Sequence, residues 1–251
     1  MSLIPTLVEM LESGVHFGHR TSRWHPKMSE YIFGARSGFH VIDLEKTQKA
    51  LEEASTFIKQ AVSRGGSVLF VGTKQQTKKI VEKYATECSM PYVTERWLGG
   101  TLTNFTQIKR SLKRLKMLKD QRDKGELQKY TKKERLLIDR EIEEMQKKLG
   151  GIENMERVPN VAFLLDVRVD KTALEEAKYV GAKVVALCDT NVNPNFVDYV
   201  IPANDDAVKS IELMCRVISD AVKAGNAEAQ KNRMAKKEET APRNAKTPSH
   251  N

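Results

Sequence analysis

Cysteine is scarce in this 251-residue chain, and none of the three, Cys88, Cys188 and Cys215, belongs to a CxxC pair. An odd, scattered set of thiols in or beside apolar runs argues against a disulfide framework and fits a reducing cytosol. Long apolar runs are missing too. No stretch approaches the roughly 18 apolar residues of a membrane span. The start, Met1-Ser2-Leu3-Ile4-Pro5, has no basic segment leading into an apolar one. A cytoplasmic protein without membrane contact is expected. Both glycine fingerprints for nucleotide phosphates, GxxxxGK followed by Ser or Thr and GxGxxG, are absent. No recognisable motif sets a histidine beside Cys188 and Asp189, so nucleophilic catalysis lacks support and Cys188 is assigned to packing.

What the chain has is positive charge. Its 42 lysines and arginines outnumber 33 acids, for a formal net charge of +9. An acidic polymer is therefore the first partner to consider. The charge is uneven. Lys109, Arg110, Lys113, Arg114, Lys116, Lys119, Arg122 and Lys124 meet only Asp120 and Asp123 as local acids, whereas Glu134, Asp139, Glu141, Glu143 and Glu144 temper the stretch that follows. The first stretch is polarised for a polyanion and the second for solubility and pairing.

The apolar pattern divides the chain. Pro5 and Gly14 bracket a short amphipathic helix, and 15–28, dense in basic and aromatic groups, reads as an ordered loop. Tyr31-Ile32-Phe33 and Phe39-His40-Val41-Ile42 have hairpin spacing, and a helix over 44–64 stops at Gly65-Gly66. Apolar runs at Val68–Val71 and Val161–Leu165, a weaker one at Pro91–Thr94, and Val184–Leu187 and Tyr199–Ile201 alternate with helical segments. That alternation predicts an α/β/α domain, a parallel sheet covered by helices on both faces, over 1–102 and 150–224. Between its halves, 103–149 carries one narrow apolar seam through Phe105, Ile108, Leu112 and Leu115 and another through Ile138, Ile142, Met145 and Leu149. Two such seams predict an inserted antiparallel coiled-coil hairpin reaching about 30 Å. From 225 to 251 almost no large apolar residue remains, which predicts a disordered tail.

Candidate sites follow from residue chemistry. Gly72-Thr73-Lys74 after an apolar strand suggests either a phosphate loop or an ordinary turn whose Lys74 meets solvent or an RNA phosphate. His16 and His19, three apart, could ligate a structural metal ion with Asp189 or Asp205; the alternative is local hydrogen bonding. No cofactor is required. Asn204-Asp205-Asp206 before the last helix is read as capping. Trp97, in Arg96-Trp97-Leu98-Gly99-Gly100, is either a core anchor or a platform on which a base stacks. A doubly wound sheet keeps a nucleotide-dependent enzyme as the rival reading, and a coiled-coil adaptor as a third.

Gly14-Val15-His16-Phe17-Gly18-His19, Trp24-His25-Pro26-Lys27-Met28, Tyr31-Ile32-Phe33-Gly34-Ala35-Arg36, Leu69-Phe70-Val71-Gly72-Thr73-Lys74, Arg96–Asn104, Asp189-Thr190-Asn191 and Ile201–Ala207 together resemble bacterial small-subunit ribosomal protein two, in matching order over about 5–222. The resemblance implies a flavodoxin-like three-layer domain with a coiled-coil hairpin and no catalysis. It implies a seat on the solvent side of the small subunit where head meets body. It also implies late assembly, contact with small-subunit ribosomal RNA, and neighbouring proteins that include the large first small-subunit protein. On that reading the RNA-binding candidates are Arg20, Arg23, Lys27, Arg36, Lys74, Arg96, Trp97, Lys109, Arg110, Lys113 and Arg114.

Overall fold

The computed structural model describes residues 4–240. It begins with α1 (Leu7–Glu12), whose cap Thr6 accepts the Glu9 backbone N–H. Next come β1 (Phe17–Arg20), β2 (Ile32–Arg36) and β3 (Phe39–Ile42), an antiparallel sheet in the order β1-β3-β2. The expected hairpin is β2 and β3. The expected loop over 15–28 is corrected in part, because Phe17–Arg20 pairs as a strand. Those four residues show no apolar alternation because their strand leans on a polar neighbour rather than on the core. The His19 backbone N–H donates to Thr190 Oγ1 at 2.9 Å, and a Cβ on Gly18 would stand 2.7 Å from the Thr190 methyl.

Helix α2 (Leu44–Ser63) starts where Asp43 accepts the Glu45 and Lys46 backbone N–H groups. Then follow β4 (Val68–Val71), α3 (Lys78–Glu87), the two-residue β5 (Tyr92–Val93), α4 (Phe105–Asp123), α5 (Lys132–Leu149), β6 (Val161–Leu164), α6 (Lys171–Tyr179), β7 (Lys183–Cys188), β8 (Tyr199–Pro202) and α7 (Val208–Thr240). The five later strands pair in parallel in the order β5-β4-β6-β7-β8, a flavodoxin-like arrangement.

Alternation along the strands explains the three layers. Val68 and Phe70 on β4 point with Val161 and Phe163 on β6 into the layer of α2, α3 and α7, while Leu69, Val71, Ala162 and Leu164 point into the layer of α6 and the root of α4. Phe70 and Phe163 are register partners whose rings meet edge-on, 5.5 Å between centroids. Such pairing adds roughly 0.5–1.5 kcal/mol to the burial itself. Both faces are apolar because both are covered.

The 103–149 segment is a pair of helices. Ile108, Leu112 and Leu149 join the core over the sheet, and Leu115, Leu118 and Ile142 form a separate cluster farther out. Gly125, at φ +74°, makes the turn, and a reciprocal Thr131–Glu134 capping box starts α5. The expected tail is corrected up to Thr240, since α7 continues there without a break. Alanine, glutamate, glutamine and lysine are good helix formers, so a helix nucleated on the packed core can propagate outward without large apolar residues. Residues 241–251 lie outside the described range. No helix among the described residues is long and apolar enough to cross a membrane.

Candidate nucleic-acid interface

Register in the small sheet places basic and aromatic side chains on one face. Arg20 pairs with Phe39 and Phe39 with Arg36, so the three form a row across the strands; Phe17, Val41 and Gly34 form the next row. The Arg20 guanidinium lies 5.8 Å from the Phe39 ring centroid. Phe17 is 56% exposed, Phe39 43% and Phe33 81%. Nothing stands within 4 Å of where a Cβ on Gly34 would be, which leaves this face open along its β2 edge. The loop between β1 and β2 is pinned by the His25 backbone N–H, which donates to the Thr190 carbonyl at 2.8 Å. From that loop Arg23 and Lys27 project into solvent beside the half-exposed Trp24. Arg20, Arg23, Lys27 and Arg36 have no carboxylate partner among the described residues. The sequence showed these cations; that Arg20 comes level with Phe39 and Arg36 depends on β1, which its pattern did not reveal.

A second basic surface lies on α4. Lys109, Arg110 and Lys113 are exposed and without carboxylate partners among the described residues, and Lys109 Nζ sits 5.0 Å from the Phe105 ring centroid. Arg114 differs: its guanidinium pairs with Glu141 on α5 at 2.9 Å. Lys119 pairs with Glu153, so uncompensated charge concentrates in the first half of the helix. Arg96 is exposed at the approach to α4.

Trp97 is a core residue, only 9% exposed, packed with Val93, Leu102 and Ile152 in the layer under α4. Of the two readings kept open for it, the buried anchor is the one its position supports, and its place among the RNA-binding candidates is corrected. Its indole Nε1–H donates to Glu176 Oε1 at 3.0 Å. The same carboxylate accepts the backbone N–H groups of Gly100 at 2.8 Å, Leu102 at 2.9 Å and Thr103 at 3.1 Å, and the Thr103 hydroxyl at 3.1 Å. Burial alone would raise the Glu176 pKa, but the hydrogen bonds from Trp97 and this turn outweigh it and hold it below the usual value. Glu176 thus fixes the glycine turn, with Gly100 at φ +88°, that delivers the chain into α4. Sequence reasoning missed it. The available signal was a glutamate on the inward stripe of α6, beside buried Ala173 and Ala177.

Lys74 is also corrected as an RNA candidate. Its ammonium lies 2.5 Å from Asp166 Oδ2, 3.0 Å from Asp205 Oδ1 and 2.9 Å from Asp206 Oδ1, with the side chain 17% exposed. Burial works against its charge, but these carboxylates prevail and push its pKa up. His19 Nδ1 lies 2.9 Å from Asp189, and this hydrogen bond raises its pKa despite burial. Thr73 donates to Asp170, whose burial pushes its carboxyl up to about 6. Asp205, buried next to Asp166 and Asp189, is pushed up as well. Of the metal-ligand candidates, His19, Asp189 and Asp205 come together, joined by Asp206. The ligand atoms of His19, Asp205 and Asp206 lie within 4.8 Å of one another. A cation there would have to displace Lys74. His16 stands apart, its ring tilted against that of Phe17 with 4.0 Å between centroids, and is corrected as a ligand of this cluster. Capping explains Asn204, which accepts the Asp206 and Ala207 backbone N–H groups; Asp205 and Asp206 instead hold Lys74.

Comparison with known proteins decides the family. The family model for ribosomal protein S2 matches residues 10–225. The chain belongs to the ribosomal protein S2 family. It is 44% identical to small ribosomal subunit protein uS2 of Helicobacter hepaticus over 237 residues, 94% of this chain and 90% of that one. To the protein of the same name from Maridesulfovibrio salexigens it is 44% identical over 235 residues, covering 94% and 91%. The Roseiflexus protein of that name is 50% identical over 216 residues, covering 86% and 82%. As an S2-family member the chain is a structural, non-enzymatic component of the ribosome. Its crevice agrees. Where doubly wound sheets receive phosphates, between the carboxyl ends of β4 and β6, this S2-family chain places Lys74 against Asp166 and Thr73 against Asp170, a plug whose carboxylates would repel a nucleotide.

Proposed function

We propose that this protein binds small-subunit ribosomal RNA through the Arg20, Phe39 and Arg36 face with its adjoining Arg23 and Lys27 loop, and through Lys109, Arg110 and Lys113 on α4. Arg96, exposed at the approach to α4, adds charge, and Arg114 adjoins the α4 surface although Glu141 compensates it. The observation that carries the reading is the grouping of cations without carboxylate partners around exposed phenylalanine rings. Cations neutralise phosphates and release counterions, and aromatic faces take up unpaired bases. The family resemblance extends the proposal to a cytoplasmic, ribosome-bound protein at the head–body junction on the solvent side. There it joins late and supports docking of the large first small-subunit protein. No cofactor is needed, and a cation at His19, Asp205 and Asp206 would serve structure alone.

Sedimentation of cell lysate at low and high salt tests the reading. The protein is expected to travel with small subunits at low salt. Replacing Lys109, Arg110, Lys113 and Arg114 by glutamine is expected to shift it toward the free fraction. Unchanged incorporation of that variant would remove α4 from the interface.

A further inference from the structure

A cleft of about 500 Å³ lies between α6 and the segment after β7, beyond the carboxyl ends of β6 and β7. That volume falls within the roughly 300–1,000 Å³ of small-molecule sites. Arg168, Lys171 and Lys178 line it against a single carboxylate, Glu175, which lies 3.6 Å from Lys171. Neither Arg168 nor Lys178 has a carboxylate partner among the described residues. Phe196, 53% exposed, lines it too, with Lys178 Nζ 5.5 Å from its ring centroid. Asn191 completes the lining, and Val167, Leu174 and Val192 supply its apolar part between these groups. An exposed ring, apolar lining and clustered cations together suit a flat heterocycle attached to a phosphate.

We propose that this cleft seats one unpaired nucleotide of a bound RNA strand. The base lies against Phe196, while its phosphates meet Arg168 and Lys171. Asn191 directly follows Thr190, which holds the His19 and His25 backbone N–H groups. The cleft therefore adjoins the Arg23 and Lys27 loop, and a single strand can run from one to the other. The proposal rests on the RNA-binding reading above and adds to it a pocket that senses a base.

The test uses the full chain and two fluorescent RNA pentamers, one carrying a single adenine between abasic sugars and one wholly abasic, followed by anisotropy. Phe196→Ala is expected to weaken the one-base pentamer about tenfold, in line with loss of one base–aromatic stack, and to leave the abasic pentamer unchanged. Phe196→Tyr is expected to bind as the wild type does. Arg168→Gln is expected to weaken both pentamers alike and to flatten their salt dependence. Phe196 is half exposed, so the variants should keep the wild-type circular dichroism spectrum. If Phe196→Ala binds the one-base pentamer as tightly as wild type while both still bind ribosomal RNA in a salt-dependent way, the pocket is refuted and the RNA-binding reading stands. If the wild-type protein binds neither pentamer nor small-subunit ribosomal RNA, both fall.

Discussion

Glu176→Gln is the substitution whose consequences the geometry defines best. The carboxylate receives two N–H donors on Oε1, from Trp97 and Gly100, and two N–H donors plus a hydroxyl on Oε2, from Leu102 and Thr103. Glutamine keeps one oxygen and puts an NH2 group at the other end. Whichever way it turns, two N–H donors face an N–H donor. Each orphaned buried donor costs about 1–3 kcal/mol, and the bonds that remain lose their ionic component. Gly100 and Thr103 are only part-buried and can turn to water, so the lower half of that range applies and the loss comes to about 3 kcal/mol. In a domain of this size that lowers Tm by about 6–12 °C. Thermal unfolding followed by circular dichroism measures it, and Trp97 fluorescence with hydrogen exchange at Leu102 and Thr103 locates it. A Tm within about 2 °C of wild type, with exchange at Leu102 unchanged, would refute the claim that Glu176 fixes the turn.

Removing the Lys74 ammonium with Lys74→Met strands Asp166 and Asp205 in a buried site, which should cost on the order of 3–5 kcal/mol, and added divalent cation should restore part of it; a denaturation midpoint insensitive to both would contradict the ion-pair geometry. The pH dependence has two limbs. The Asp170 carboxyl stands at about 6 when folded, above its ordinary 3.8, so the folded state takes up that proton first. Its contribution grows as pH falls from 7, by about 3 kcal/mol at most, and Asp170→Asn should abolish that rise in a denaturation series. Glu176 is held below its ordinary value, so its contribution is complete above about pH 4.5 and is lost below it; Glu176→Gln should flatten the acid limb. Leu115 is fully buried in the outer cluster of the helix pair, so Leu115→Ala should cost about 2–4 kcal/mol and raise hydrogen exchange in α4 and α5, leaving β4 and β6 protected.

The layered fold was legible because strands buried on both faces must be apolar throughout, as Val68–Val71 and Val161–Leu164 are. The helices of the insertion were legible for a different reason: each buries a single stripe, in which Ile108, Leu112, Leu115 and Ile142 recur at helical spacing. β1 was not, because a strand holding onto Thr190 through backbone and a glycine carries no hydrophobic signature. The reach of α7 past 225 was hidden too, since helix propagation depends on a nucleus packed elsewhere. Within the candidate site, cations were legible and their availability was not. Lys74 and Arg114 look alike in sequence to Lys109. Only folding brings Asp166, Asp205 and Asp206 to the first and Glu141 to the second, from segments distant in the chain. Trp97 and Glu176 are 79 residues apart, a pairing no local pattern encodes.

The central claim is that unpaired cations on two surfaces neutralise phosphates of small-subunit ribosomal RNA. The most direct measurement is the affinity of the full chain for that RNA over a series of salt concentrations, compared with the Lys109→Gln, Arg110→Gln, Lys113→Gln triple variant. Each lost phosphate contact reduces the slope of log affinity against log salt by about 0.7–0.9. A wild-type slope steeper than that of the variant by about 2–3 is the expected result. Equal slopes, or a wild-type affinity indifferent to salt, would contradict it.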